Sequence, residues 1–123
     1  MTDNTPAKPV GPYTPVVQAG EWIVVSGQVG IVDGTLADGG FGPQCAQAMA
    51  NLEAQLASVG ASMSDVVKTT CFLRHMTDYA RMNEIYTAAF GDHRPARSAV
   101  GVAELPIGAL FEVEAWARRV PSS

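Results

Sequence analysis

The chain has 123 residues, 47% of them apolar, and a formal net charge of −4 from 12 acidic and 8 basic side chains. This length fits one domain, expected to span residues 1–123 with 1–10 and 120–123 as loose ends, and folding buries roughly two-thirds of the unfolded surface. The acidic balance weighs against nucleic-acid and membrane-surface partners, no apolar run nears the roughly 18 residues of a membrane span, and MTDNTPAKPV has no secretory h-region. Two cysteines, Cys45 and Cys71, make no disulfide framework, so a reduced cytoplasmic protein is expected.

The first regular element is a hairpin. In VVQAGEWIVVSGQVGI its strands read as Val16–Ala19 and Trp22–Gly27, turning near Gly20-Glu21. Gly30, Gly34, Gly39, Gly40 and Gly42 mark turns, with a short strand near Thr35–Ala37. Pro43 is a good first helical position. Cys45, Met49, Leu52, Leu56 and Val59 then recur at helical spacing until Gly60 stops the helix. Val66–Arg74 (VVKTTCFLR) is rich in β-branched residues and reads as a strand. Thr77 is expected to cap a second helix, Asp78–Phe90, with the stripe Tyr79, Met82, Tyr86 and Phe90 and an end at Gly91. Strands follow at about Ala96–Ala103 and Leu110–Arg118. The order β-β-(β)-α-β-α-β-β predicts an α+β fold with a mixed sheet covered on one face by two helices. Several strands are apolar on both faces, as Ile23 and Val25 are against Trp22 and Val24. Two helices cannot cover both faces, and a partner subunit would supply the second cover.

The last two strands read as a hairpin. If residues 103 and 110 flank its loop, Gly101 opposes Glu112, Ala99 opposes Glu114, and Arg97 opposes Trp116. A one-residue slip would exchange the faces. On this register Arg97, Ala99, Gly101, Glu112, Glu114 and Trp116 share one face, while Ser98, Val100, Val102, Phe111, Val113 and Ala115 share the other. Small residues opposite the glutamates leave a hollow ringed by an arginine and two carboxylates. Glu112 and Glu114, roughly 7 Å apart along the strand, repel by about 2 kcal/mol at an effective dielectric near 20. That repulsion lifts a partly desolvated glutamate toward neutrality, where it can move protons, and Arg97 opposes the lift. Two readings stay open: a binding or catalytic cleft, and a mutually neutralising cluster at a subunit contact.

Three blocks, GPYTPVVQAGEWIVVSGQVGI, DVVKTTCFLRHMTDYARMNEIYTAAF and RPARSAVGVAELPIGALFEVEAWA, resemble the Rid family (RidA or YjgF type, reactive-intermediate imine deaminases, also labelled endoribonuclease L-PSP). The resemblance covers residues 11–118. It implies a chorismate-mutase-like fold and a homotrimer whose sheets enclose a central barrel, with three clefts between subunits. It also implies hydrolysis of 2-imino acids, such as 2-iminopropanoate or 2-iminobutanoate, to 2-oxo acids and ammonia, with no metal and no organic cofactor. Carried over by position, Arg97 is the carboxylate-binding arginine and Glu112 the acid that handles water. Tyr13, Ser26 and Asn83 line the cleft. Family members typically have a cysteine where this chain has Ala99, so a thiol role is excluded there and only backbone groups at Ala99 are left to bind substrate. The segment GDHRPARS is also shorter than in the archetype.

Each of these residues has a plainer reading. Tyr13 packs an N-terminal segment, Ser26 bonds a strand end, and Asn83 ties a helix to a loop. Cys71 and His75, roughly 13 Å apart on a strand, make no thiol–imidazole pair. Both cysteines read as small buried hydrophobes, and His75 and His93 lack metal-ligand spacing. A non-catalytic trimeric binder or sensor of small carboxylates would use the same cleft. An endoribonuclease function sits poorly with the acidic charge and the absence of a basic, aromatic surface.

Overall fold

In a computed structural model, which describes Pro9 and residues 11–120, nine regular elements alternate as α+β. They are β1 (Val16–Ala19), β2 (Trp22–Val29), β3 (Ile31–Val32), β4 (Thr35–Leu36), α1 (Phe41–Ser58), β5 (Val66–Leu73), α2 (Tyr79–Phe90), β6 (Ala96–Gly101) and β7 (Phe111–Arg118). Apart from Pro9 and Val120, the segments expected to be loose ends lie outside the described residues. The strand near Thr35 forms and pairs with β3, which the glycine spacing had hidden. α2 begins one residue later than expected, after a 3-10 turn at Met76–Asp78. Its cap position is Asp78 rather than Thr77, and no side chain closes it.

The main sheet runs β1-β2-β7-β5-β6. All pairs are antiparallel except β5 with β6, which are parallel because the chain between them crosses over through α2. Phe111, Val113, Ala115 and Ala117 of β7 are buried together with Leu52, Leu56, Met82 and Phe90 of the helices. Both helices therefore cover the same sheet face. Gly30 lets α1 come in close, since a Cβ there would lie 2.3 Å from the Gln44 carbonyl oxygen. Buried Asn51 binds the carbonyls of Val29 and Ile31 through Nδ2. Gln44 Oε1 accepts the Leu110 N–H at the entry to β7.

The terminal hairpin does not form. β5 lies between β6 and β7: the Val102 N–H donates to the Leu73 carbonyl, and the Arg74 N–H donates to the Leu110 carbonyl. The connection over 102–110 is longer than the roughly two to five residues of a tight hairpin, so it can step across a strand. The face assignment changes with it. Thr69 pairs with both Arg97 and Ala115, so Arg97 stands on the helix-covered face, and Ala99 packs against the core there. Thr70 pairs with both Ser98 and Glu114, which puts Ser98, Glu112, Glu114 and Trp116 on the other face. Arg97 and Ala99 therefore do not share a face with the glutamates.

Among the described residues, no helix lies over that other face. Val17, Trp22, Val100 and Trp116 are each 40–47% exposed on it, and the two tryptophan rings meet edge to face, 6.0 Å apart. The strand alternation had predicted this second apolar face. In β5 a bulge between Val66 and Lys68 leaves Val67 out of the ladder and exposed, while Cys71 and Leu73 are buried.

Candidate functional site

The expected site residues fall into two groups. The first surrounds a pocket of about 390 Å³ whose lining includes Tyr13, Ser26, Gly27, Glu112 and Glu114, with Pro15, Val29 and Pro106 as apolar walls. Its floor comes from a break in β2. Val25 pairs with Ala115 and Gln28 with Val113, so Ser26 and Gly27 bulge out of register. Freed from the ladder, Ser26 holds the N-terminal segment: its N–H donates to the Pro15 carbonyl and its Oγ to the Thr14 carbonyl, at 2.8 Å each. That attachment brings Tyr13 to the pocket. Ser26 thus performs the strand-end bonding of its plain reading while also lining the cavity.

Gly27 sets the place of Glu112. A Cβ on Gly27 would lie 2.4 Å from Glu112 Oε2 and 2.7 Å from its carboxyl carbon, so the carboxylate rests directly on the bulge. Glu112 is half-buried. Burial first, and the neighbouring Glu114 charge second, raise its pKa above the ordinary glutamate value. A carboxyl lifted in this way can take a proton from water and return it nearer neutrality than a solvated glutamate can.

The second group is built around Arg97. β6 is an edge strand, and α2 passes beneath its helix-side face. The Arg97 guanidinium carbon lies 4.8 Å from the Tyr86 ring centre and 5.6 Å from that of Tyr79, and Nη2 donates to the Tyr79 hydroxyl at 3.1 Å. Tyr86 is buried and anchored by a 2.7 Å bond between its hydroxyl and Thr69 Oγ1. Desolvation raises its pKa, so the phenol stays neutral under the cation. Contacts of this kind hold a guanidinium by about 0.5–2 kcal/mol without neutralising it. The ion pairs among the described residues are Arg81–Glu84 and Arg118–Glu21, and neither involves Arg97. Asn83 lies between the two tyrosines on α2, with its buried Oδ1 lacking a partner among the described residues.

Tyr13, Ser26 and Glu112 thus meet in one pocket, whereas Arg97, Ala99 and Asn83 belong to the helix-covered side. The aromatic bed under Arg97 was missed in the sequence because Tyr79 and Tyr86 read as core stripe. Their seven-residue spacing does place them on one face, but only the parallel crossover sets β6 above it. The Gly27 contact was missed because a bulge leaves no mark in strand alternation. Both cysteines are free thiols and buried. Burial pushes the Cys45 thiol up to about 12 and Cys71 to about 11. His93 Nε2 bonds the Val66 carbonyl oxygen.

A family model described as endoribonuclease L-PSP matches residues 2–119. Over 122 residues the chain is 42% identical to the 2-iminobutanoate/2-iminopropanoate deaminase of Mus musculus, covering 98% of this chain and 90% of that protein. It is 42% identical over 119 residues to a RutC family protein of Pyrococcus horikoshii, covering 95% and 94%. The crystal structure of RidA from an Antarctic Psychrobacter superposes with a TM-score of 0.88 at 37% identity, covering 96% of each chain. The chain belongs to this L-PSP family, the YjgF/RidA family. Among the described residues no helix is long and apolar enough to cross a membrane.

Proposed function

We propose that this chain hydrolyses 2-imino acids to 2-oxo acids and ammonia, in clefts between the subunits of a homotrimer. The observation that carries this reading is Arg97: a half-buried guanidinium on two tyrosine rings, with no carboxylate partner among the described residues. A planar fork held in that state suits a small carboxylate. The pocket of Glu112 and Glu114 offers acid function but no described cation. Because the two groups stand on opposite faces of one sheet, one substrate reaches both only when Arg97 of one protomer meets the pocket of the next. The apolar face bearing Trp22 and Trp116 supports such assembly, as does the deaminase name of relatives near 40% identity. Trimeric closure would turn those faces toward one another around a central barrel.

In this reading Arg97 clamps the substrate carboxylate and fixes the imine carbon. Glu112 takes a proton from water as the water oxygen bonds to that carbon and the C=N electron pair moves to nitrogen. The proton then passes to nitrogen. Collapse of the carbinolamine breaks the C–N bond, sends the hydroxyl proton back through Glu112 to nitrogen, and releases ammonia and the 2-oxo acid. Tyr13, Asn83 and the backbone at Ala99 complete the polar lining. General base action of this kind contributes roughly 10²–10⁴-fold.

Mixing two inactive variants tests both the chemistry and the shared cleft. Arg97→Ala and Glu112→Gln, each inactive alone in a coupled 2-oxo-acid assay, should regain turnover when co-refolded. In a closed ring with random mixing about a quarter of the clefts receive both intact groups. A mixture as inactive as its parents would reject the shared cleft. Full activity of Arg97→Ala alone would reject the arginine's role. Binding of 2-oxo acid by the wild type without imine turnover would leave a carboxylate binder or sensor instead.

A further inference from the structure

We infer that the Tyr79 hydroxyl is a second hydrogen-bond donor to the anion bound by Arg97. The inference rests on the carboxylate-binding reading of Arg97 and adds to it a residue that the family resemblance did not single out. Arginine has donors only, so in the 3.1 Å contact between Arg97 Nη2 and Tyr79 Oη the phenol oxygen accepts. The phenol's own hydrogen is left over, and no other hydrogen bond among the described residues uses it. Its neighbour on the stripe behaves differently: the Tyr86 hydroxyl is occupied by Thr69 and the residue is buried. Tyr79 is 40% exposed, and its hydrogen bond to Arg97 lies at the surface, where a ligand can approach.

The geometry of the guanidinium directs the leftover hydrogen. Nη2 carries two hydrogens, and one is taken by Tyr79. An anion oxygen accepting the other lies next to the tyrosine oxygen, within reach of its O–H. Accepting from a cation also polarises the phenol and makes it a better donor. One carboxylate would thus be held by a fork and a hydroxyl, with the two donors joined by their own hydrogen bond.

The test is equilibrium binding of 2-oxobutanoate to wild type, Tyr79→Phe, Arg97→Lys and the double variant, with Arg97→Ala as a control. Tyr79→Phe keeps the ring and removes only the hydroxyl. It should fold normally and weaken binding about ten-fold. In the Arg97→Lys background, where no guanidinium orients or polarises the phenol, the loss should shrink but remain. An unchanged dissociation constant in Tyr79→Phe, alongside lost binding in Arg97→Ala, would overturn this inference and leave the proposed function standing. A Tyr79→Phe loss that vanishes in the Arg97→Lys background would also overturn it, leaving Tyr79 as a holder of the arginine. Unimpaired binding in Arg97→Ala would remove the reading beneath both.

Discussion

The Arg97 half and the Glu112 half of the candidate site differ in charge, in support and in sheet face. Arg97 stands on the helix-covered face, and its cation rests on two rings, one of which, Tyr86, is anchored in the core through Thr69. Glu112 stands on the open face, and its carboxylate rests on a backbone bulge and beside a like charge. One half is held by packing, the other by the absence of a side chain at Gly27. The cation lacks an anion and the acid lacks a cation among the described residues. Uncompensated charge at a partly buried place is costly, and the two deficits are complementary.

Several substitutions would break or sharpen this contrast. The largest effect is expected at Arg97: Arg97→Ala should lower kcat/KM for imine hydrolysis by roughly 10²–10³-fold, the cost of leaving a desolvated carboxylate unclamped. Arg97→Lys should recover only part of this, because an ammonium has no fork. Next comes Gly27→Ala. Its methyl group would occupy space now held by the Glu112 carboxylate, so kcat should fall roughly ten- to hundred-fold while 2-oxo-acid affinity changes little. An unaltered kcat would show that Glu112 needs no such seat.

Smaller effects test the electrostatics and the strain. Glu112 is raised by burial and then by Glu114, and its ionised form is the working base. Activity should therefore fall as pH drops through this raised value. Glu114→Gln removes the like charge, lowers the Glu112 pKa and should move the acid limb of the kcat profile to lower pH. A limb that moved upward or stayed in place would refute the coupling. The smallest change is expected at Ile107. It holds φ 52° in the Leu105–Gly108 turn beside Pro106 of the pocket, and it is 54% exposed. A β-branched residue there costs about 1–2 kcal/mol, which asparagine largely avoids. Ile107→Asn should raise Tm by about 4 °C in thermal unfolding.

Much of the fold could be read from residues alone. Cys45, Met49, Leu52 and Leu56 announced α1, the β-branched run VVKTTCFL announced β5, and Phe111 to Ala117 announced a strand with one buried face. Each is a local periodicity written by burial on a single element. The apolar residues on both faces of β2 likewise announced a sheet side that two helices leave bare, now seen in Trp22 and Trp116. The family resemblance also pointed to Tyr13, Ser26 and Glu112, and these three side chains line one pocket.

What the sequence determined by itself was the kind and place of the longer elements, because periodicity and turn chemistry are properties of neighbours along the chain. Tertiary structure alone decided the order of strands. Adjacency in the chain favoured pairing β6 with β7, but the crossover through α2 sets β6 parallel to β5 at the edge, with β5 between them. That one exchange carried Arg97 from the face of Glu112 to the face of Tyr79 and Tyr86. Side-chain alternation says which residues travel together, whereas the side they travel to depends on which strand lies next door. That is settled by long-range hydrogen bonding and by the packing of a helix far away in the chain.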